Sequence, residues 1–404
     1  MEQYVRVPLR ENIAEMFIGP FGSSLKNESF VNAEKAYCMV YEQKHAIQKS
    51  MDVETRYVNK EKYEELKRFD VQGGDIIVSC RGTIGETFIV PENAPLGIMH
   101  PSIMKIRLKA GVYDKQYFNL LLIKYLKEHE SEANGSGIKM AISAKELANV
   151  SFPLPPMETQ KNIVRIFDNV DSLIRFRHQQ LLKLDELVKS RFIELFGDPE
   201  ANPNRWSISK LSEFCDLQNG YAFKSDDYLT NSTVLNCRMS NIRPDGGFDA
   251  DYHPKYLPDM FWEKYKDYRL VDGDVIIAMT DMASDPKILG VPTIVRTNGK
   301  KFLLNQRVGK LTFFDNTAIN NVYLMFVLSQ QHIRQQLVKS AGGSTQINVA
   351  KPAVLGVEFF VPPMKLQEQF AAFVEQTDKS KLAIQKSLER LETLKKSLMQ
   401  KYFG

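Results

Sequence analysis

Apolar residues in this chain fall into two kinds of pattern, and the long one occurs twice. After Pro155-Pro156 they lie at Ile163, Ile166, Val170, Leu173, Leu181, Leu184, Leu187 and Leu195. After Pro362-Pro363 they lie at Phe370, Phe373, Ile384, Leu388, Leu391, Leu394 and Leu398. Steps of three and four over such distances predict two long amphipathic helices with a coiled-coil-like seam. A proline pair precedes or opens a helix, and Gly197 with Asp198-Pro199 stops the first one. A helix of about 38 residues spans about 57 Å and cannot bury its stripe within a small domain. Each therefore needs a partner, and the available partner is the other copy, packed antiparallel. The alternative is two separate helices, each docked on its own domain. Arg177 interrupts the first seam where the second copy has Ile384, a mismatch of the kind that selects one register.

Upstream of each helix the period shortens to two. Asp75-Ile76-Ile77-Val78-Ser79 follows a Gly73-Gly74 turn, Thr87 to Val90 is a second run, and Ile103 to Leu108 alternates strictly; all three predict strands. The later region supplies Asp274 to Ala278, Pro292 to Val295 and Lys310 to Phe314, and helices are expected at Lys115 to His129 and Asn320 to Leu337. Without regular βαβ alternation, each region reads as mixed α/β (α+β) with a twisted, mainly antiparallel sheet.

The two regions are copies. Pro155-Pro156-Met157-Glu158-Thr159-Gln160 returns 207 residues later as Pro362-Pro363-Met364-Lys365-Leu366-Gln367. From Gly135 to Gly197 this offset gives 15 identities in 63 pairs, where about 4 would follow from average usage. Gly74 to Val78 pairs with Gly273 to Ile277 at 199, and Glu15, Gly22 and Lys26 pair with Glu213, Gly220 and Lys224 at 198. The predicted plan is a variable domain at 1–154, a helix at 155–197, a variable domain at 198–361 and a helix at 362–404, with internal pseudo-twofold duplication. The period is far longer than the roughly 20–50 residues of a solenoid repeat. It suits a molecule that reads two related things.

Composition allows this plan without choosing it. At 404 residues, 43% hydrophobic and 25% charged, the chain can hold two cored domains. No apolar run reaches the roughly 20 residues of a membrane span, and Met1-Glu2-Gln3-Tyr4 does not resemble a signal peptide, so a cytoplasmic location is expected. Cys38, Cys80, Cys215 and Cys237 lack zinc spacing and read as reduced bystanders. A net charge of +4 permits a polyanionic partner.

A doubled combination now stands out: Gly74-Asp75-Ile76-Ile77-Val78-Ser79-Cys80-Arg81-Gly82-Thr83-Ile84-Gly85, then Pro153-Leu154-Pro155-Pro156-Met157-Glu158-Thr159-Gln160, then a long helix. It resembles the specificity subunit of type I restriction-modification enzymes over essentially the whole chain. The resemblance implies two target recognition domains, each reading one half of a bipartite double-stranded DNA target. It implies that the helices form an antiparallel bundle that sets the spacing and docks two methyltransferase subunits, and that motor-nuclease subunits can join the assembly. S-adenosylmethionine, ATP and Mg²⁺ would then serve those partners, with no cofactor on this chain. The second copy departs from the pattern, because Arg81-Gly82-Thr83 becomes Thr280-Asp281-Met282.

Catalytic patterns are missing from the sequence. There is no Asn/Asp-Pro-Pro-aromatic tetrapeptide for a flipped base, and Phe17 to Gly22 lacks the apolar strand that a glycine-rich cofactor loop follows. No GxxxxGK[ST] occurs. Pro258-Asp259 with Asp285-Pro286-Lys287 imitates a nuclease cluster, but Pro286 would remove a donor from the presenting strand. What remains is binding chemistry, in which Arg reads guanine, Asn or Gln reads adenine, and Lys or Ser holds phosphates. Candidates are Lys26, Asn27, Lys44, Arg81, Thr83 and Lys139 in the first domain, and Lys224, Arg238, Asn241, Arg243, Asn305, Gln306, Arg307 and Gln346 in the second. Gly135-Ser136-Gly137 and Gly342-Gly343-Ser344 would let backbone approach phosphates. The expected function is a non-catalytic DNA-specificity subunit; the alternatives are a coiled-coil scaffold that reads no DNA, and an enzyme with an unrecognised active site.

Overall fold

A computed structural model describes residues 4–81, 83–133, 143–315 and 317–404. They divide into two compact units, Met1–His178 with Ser387–Gly404, and Gln179–Lys386. Each long helix belongs to both units, since the first runs Met157–Phe196 and the second Met364–Phe403, 40 residues apiece.

The first unit holds two four-stranded sheets. One is antiparallel, with Ile103–Leu108 central between Ile13–Ile18 and Ile76–Ser79, and Thr87–Ile89 outermost. The other pairs Cys38–Tyr41 in parallel with Gly97–Met99, with Tyr57–Val58 and Asp70–Val71 antiparallel at its edges. The second unit repeats both orders. Val308–Phe313 lies between Cys215–Asn219 and Val275–Ala278, and Val234–Cys237 runs parallel to Lys301–Leu304. Lys115–Ala133 is one helix, whereas the expected Asn320–Leu337 helix is two, Asn321–Leu328 and Gln331–Ser340. The break is held by side chains: Ser329 Oγ donates to Met325 O at 2.7 Å and Gln330 Nε2 to Phe326 O at 3.0 Å, taking up carbonyls that the helix would otherwise use.

Hydrogen bonds give a firmer alignment of the copies than isolated identities do. Gly19 N–H donates to Ile103 O and Gly220 N–H to Val308 O, while Met16 pairs with Ile106 as Leu217 pairs with Leu311. The partner of Gly220 is therefore Gly19 rather than Gly22, and that of Glu15 is Asp216 rather than Glu213. A Cβ at either matched glycine would sit 2.2 Å from the carbonyl oxygen of His100 or Asn305, so close approach requires glycine there. Lys26 and Lys224 do correspond, each accepting through its carbonyl the amide of the residue three places on. Three extra residues between Gly19 and Lys26 account for the difference.

The Pro-Pro-Met-x-x-Gln motif fastens each helix to its domain. Gln160 and Gln367 are both 1% exposed. Gln160 Oε1 accepts from Asp114 N at 2.7 Å and its Nε2 donates to Pro155 O and Val112 O. Gln367 accepts from Asn320 N at 3.0 Å and donates to Pro362 O at 2.7 Å. Asp114 and Asn320 in turn cap the next domain helix through their own side chains, so one buried amide ties the start of each long helix to the start of another.

The helices pair antiparallel in each unit. In the first, Phe167 meets Phe403 at 5.8 Å between ring centres, and Lys395 Nζ lies 2.5 Å from Asp171. In the second, Phe192 meets Phe370 at 5.5 Å, and Lys381 Nζ lies 2.6 Å from Asp185. The covered stripe alternates steps of four and three: Ile163, Phe167, Val170, Ile174, Arg177, Leu181, Leu184 and Val188, matched at Phe370, Val374, Thr377, Lys381, Ile384, Leu388, Leu391 and Lys395. This corrects the expected seam. Leu173, Leu187 and Leu394 are 46%, 48% and 46% exposed, and Ile166 and Phe373 lie one place before the stripe at Phe167 and Val374. A seam of period 3.5 needs strict alternation; choosing the most apolar letter steps off it wherever a leucine precedes a valine or lysine.

Aromatic rings close both cores at the helix ends. Phe196 packs on Tyr323 and Phe370 in one unit, and Phe403 on Tyr117 and Phe167 in the other. Gly197, at φ +83°, ends the first helix by donating to Ile193 O at 2.8 Å.

Two outcomes follow. Gln160→Met leaves the Asp114 amide and two carbonyls without partners inside a core, and should lower stability by about 2–4 kcal/mol; a shift below about 0.5 kcal/mol in urea unfolding would refute the clamp. Asp171→Lys should destabilise, and adding Lys395→Asp should recover about 1 kcal/mol, a modest value because both groups are one-third exposed. Additive losses in that double-mutant cycle would show that the pair does not couple.

Candidate nucleic-acid interface

Parallel pairing places the ends of two strands together. Val234–Cys237 and Lys301–Leu304 are in register from Val234↔Lys301 to Cys237↔Leu304, so Arg238 and Asn305 leave the sheet side by side. Asn305 N–H donates to Cys237 O at 3.1 Å. Asn241 Oδ1 accepts from Arg238 N at 2.8 Å and its Nδ2 donates to Asp249 O at 2.8 Å. Asn305 Oδ1 accepts from Arg307 N at 3.2 Å. Both asparagines are buried, at 3% and 4% exposure. Their side-chain oxygens shape these turns.

That internal work leaves the neighbouring side chains free. Arg238, Asn305, Gln306 and Arg307 line a cleft of about 530 Å³ together with Ser225, Tyr228, Ser240 and Lys255, over Phe223 and Met239. Three cations line it and no carboxylate does. Among the described residues, no carboxylate pairs with Arg238, Arg307 or Lys255. Lys224 is exposed next to Ser225. Arg243 stands over the Tyr252 ring at 5.1 Å, and Gln346 lies on a strand paired with Met282; neither lines the cleft.

The first domain builds the same backbone cradle with different groups. His100 N–H donates to Tyr41 O at 2.9 Å, Glu42 N–H to His45 Nδ1 at 3.0 Å, and Ser102 N–H to His100 Nδ1 at 3.2 Å. Cys80 N–H bonds Ser102 O as Met279 N–H bonds Arg307 O, both at 2.9 Å. Glu42, His45, His100 and Ser102 therefore stand where the second domain has Arg238, Asn241, Asn305 and Arg307. Burial works to raise the Glu42 carboxyl, but hydrogen bonds and charges from Arg56 and Lys44 outweigh it and hold the group below its ordinary value. Lys44 lies 3.0 Å from that carboxylate, so this candidate cation is already paired within the domain. Lys26 and Asn27 are exposed around a short turn, and Arg81 and Thr83 are exposed in the loop after Ile76–Ser79. Lys139 and Gly135-Ser136-Gly137 lie outside the described residues.

Groups that could do chemistry are otherwise engaged. No cluster of His, Cys, Asp and Glu suited to a metal occurs among the described residues. All four cysteines are buried and free, and burial pushes the Cys38 and Cys80 thiols up to about 11 and Cys215 to about 12, which leaves little thiolate at neutral pH. Asp259 is bound by Ser232 and Thr233 at 2.7 Å, while Asp285 pairs with Lys287 at 3.0 Å in an exposed loop. The nuclease-like letters make separate turns. No helix among the described residues is long and apolar enough to cross a membrane.

A family model, the type I restriction modification DNA specificity domain, matches residues 24–186 and again 203–396. The chain belongs to the family of type I specificity subunits. It is a non-catalytic member with two DNA specificity domains. The MjaVIII specificity subunit of Methanocaldococcus jannaschii is 26% identical over 351 residues, covering 82% of this chain and 79% of that protein. A chain from the structural work on assembly and conformational transition of the type I R-M system has a TM-score of 0.61 at 16% identity, covering 100% of this chain and 98% of that one. The type I S subunit of M. genitalium has a TM-score of 0.53 at 13% identity, covering 99% and 96%. These two likenesses concern the fold.

Sequence reasoning missed Ser225, Tyr228, Ser240 and Lys255, which converge only in the fold. One legible signal was a polar residue four places after a strand end, at His45 and Asn241, three places beyond the turn amide that its side chain folds back to bond.

Burial lowers the His45 and His100 pKa values below the ordinary 6.5. The unfolded chain then binds more protons below about pH 6.5, so stability falls as pH drops through that window. His45→Asn, the residue the second domain uses at this place, should shrink the difference in melting temperature between pH 7.5 and pH 5. An unchanged difference would show that His45 does not contribute.

Proposed function

We propose that this chain reads one bipartite, gapped DNA target, one half-site per recognition domain, and that the paired helices set the spacing between the halves. In this reading phosphate contacts place each domain and base contacts select each half-site. The helices also dock two methyltransferase subunits, and motor-nuclease subunits complete the assembly. S-adenosylmethionine, ATP and Mg²⁺ serve those partners, and the adenine is flipped into a methyltransferase.

The observation that carries the reading is the duplication of both sheets and of the cradle's hydrogen bonds, with different side chains at the matched positions. One fold used twice with unlike polar residues suits recognition of two unlike sequences. Docking is supported by apolar residues outside the seam: Leu173, Phe176 and Leu394 in the first unit, and Leu182, Leu187, Ile193 and Leu382 in the second, all at least 46% exposed. Large apolar side chains left exposed along a helix are suited to a protein interface. Leu187 and Leu394 occupy matched positions of the repeat, so each copy exposes a leucine there.

Methylated adenines mapped across the genome of cells carrying this chain and its partners should define a motif of two specified parts separated by a gap of fixed length. Removing seven residues, one heptad, from both helices should change that gap or abolish modification. A single uninterrupted motif, or a gap unaffected by the deletion, would end the spacing proposal.

A further inference from the structure

We propose that the cleft formed by Arg238, Lys255 and Arg307 is a site for DNA backbone phosphates, and that it makes the second recognition domain the stronger electrostatic anchor of the two. This rests on the reading of the chain as a reader of bipartite DNA.

The argument begins with how the cations are held. Arg238 is fixed at its amide by Asn241 Oδ1 at 2.8 Å. Arg307 is fixed at both ends of its peptide, its N–H by Asn305 Oδ1 at 3.2 Å and its carbonyl by Met279 N–H at 2.9 Å. The backbone is rigid while the charged ends carry no internal partner among the described residues. Donors held in place before binding lose little freedom when a ligand arrives. Lys255 enters from a separate segment, whose carbonyl is bonded by Asn236 N–H at 2.8 Å. Three cations on one concave surface, with no carboxylate among the lining residues, concentrate positive potential there.

The remaining lining groups fit the same ligand. Ser225, Ser240 and Tyr228 offer hydroxyl donors, and phosphate oxygens are acceptors only. The amides Asn305 and Gln306 also line the cleft, but Asn305 gives its Oδ1 to Arg307 N at 3.2 Å and Asn241 is committed to the turn beneath, so the three cations dominate the surface. A concave, donor-rich surface is suited to a phosphodiester ridge rather than to the floor of a groove.

The first domain shows what the site lacks when it is not built. At the matched positions Glu42 replaces Arg238 and Ser102 replaces Arg307. Arg56 and Lys44 are both drawn to Glu42, so one of the two positive charges there is compensated and both cations are held by an internal partner. The two domains thus share the cradle and differ in its charge.

The test measures binding of the purified complex to a duplex carrying its mapped target, and to a scrambled duplex, as a function of salt. Each phosphate neutralised contributes about 0.9 to the slope of log affinity against log salt. The triple variant R238Q/K255Q/R307Q should reduce the slope by about 2–3, weaken both duplexes alike, and leave the methylated motif unchanged. R238K/R307K, which keeps the charge, should restore most of the slope. Thermal unfolding should match the wild type, since these side chains have no partner to lose. An unchanged slope would overturn the proposal. A relaxed base at one position of the motif would also overturn it, by showing that these residues read sequence. Salt-insensitive DNA binding by the wild-type complex would instead remove the DNA-reading function itself.

Discussion

The antiparallel seam is the constraint on which the rest depends. A 40-residue amphipathic helix buries only its ends against a domain of this size, and the middle of its stripe is covered only by another helix. The seam also completes the cores. Ile163 and Phe167 lie in the core of the first unit beside Leu398, Met399, Tyr402 and Phe403 from the far end of the second helix. Val188, Phe192 and Phe196 lie in the core of the second unit beside Phe370. The first unit is finished by the far end of the second helix, and the second by the helix segments on either side of its domain, so helix pairing and domain folding stabilise one another.

Duplication has separated shape from specificity. The parallel strand pair, the glycine pressed against a carbonyl and the side chain that bonds a turn amide recur in both domains. These positions are buried, and a change there costs a hydrogen bond or creates a clash. Neighbouring positions have diverged, even in sign of charge, as at Glu42 and Arg238. Among the described residues Arg238 has no internal charge partner to lose, so it can stand where the other copy has Glu42 without altering the turn.

The same separation holds along the helices. Lys381 and Lys395 replace Ile174 and Val188 of the first copy, and their charges meet Asp185 and Asp171. The repeat equivalents of these aspartates, Glu392 and Asp378, lie on the second helix itself. The two helices are therefore not interchangeable, and the polar pairs favour the register in which each lysine faces a carboxylate.

The sequence by itself determined the duplication, the two long helices with their proline start and glycine stop, the principal strands and the family, because each is written in residues close in the chain or repeated at a constant offset. Periodicity placed the stripe only to within one residue: Leu173 and Leu187 are more apolar in appearance than the positions beside them, yet the 3.5-residue period favours Ile174 and Val188. Only the tertiary structure decided the function of the polar residues. Asn241 and Asn305 have the composition of base readers but bond buried turn amides. Lys44 has the composition of a phosphate ligand but neutralises Glu42. Ser225 and Tyr228 are remote in sequence from Lys255 and Arg307, and all four meet in one cleft. A polar side chain's role depends on which donors and acceptors surround it, and those partners lie on segments that only the folded sheet brings together.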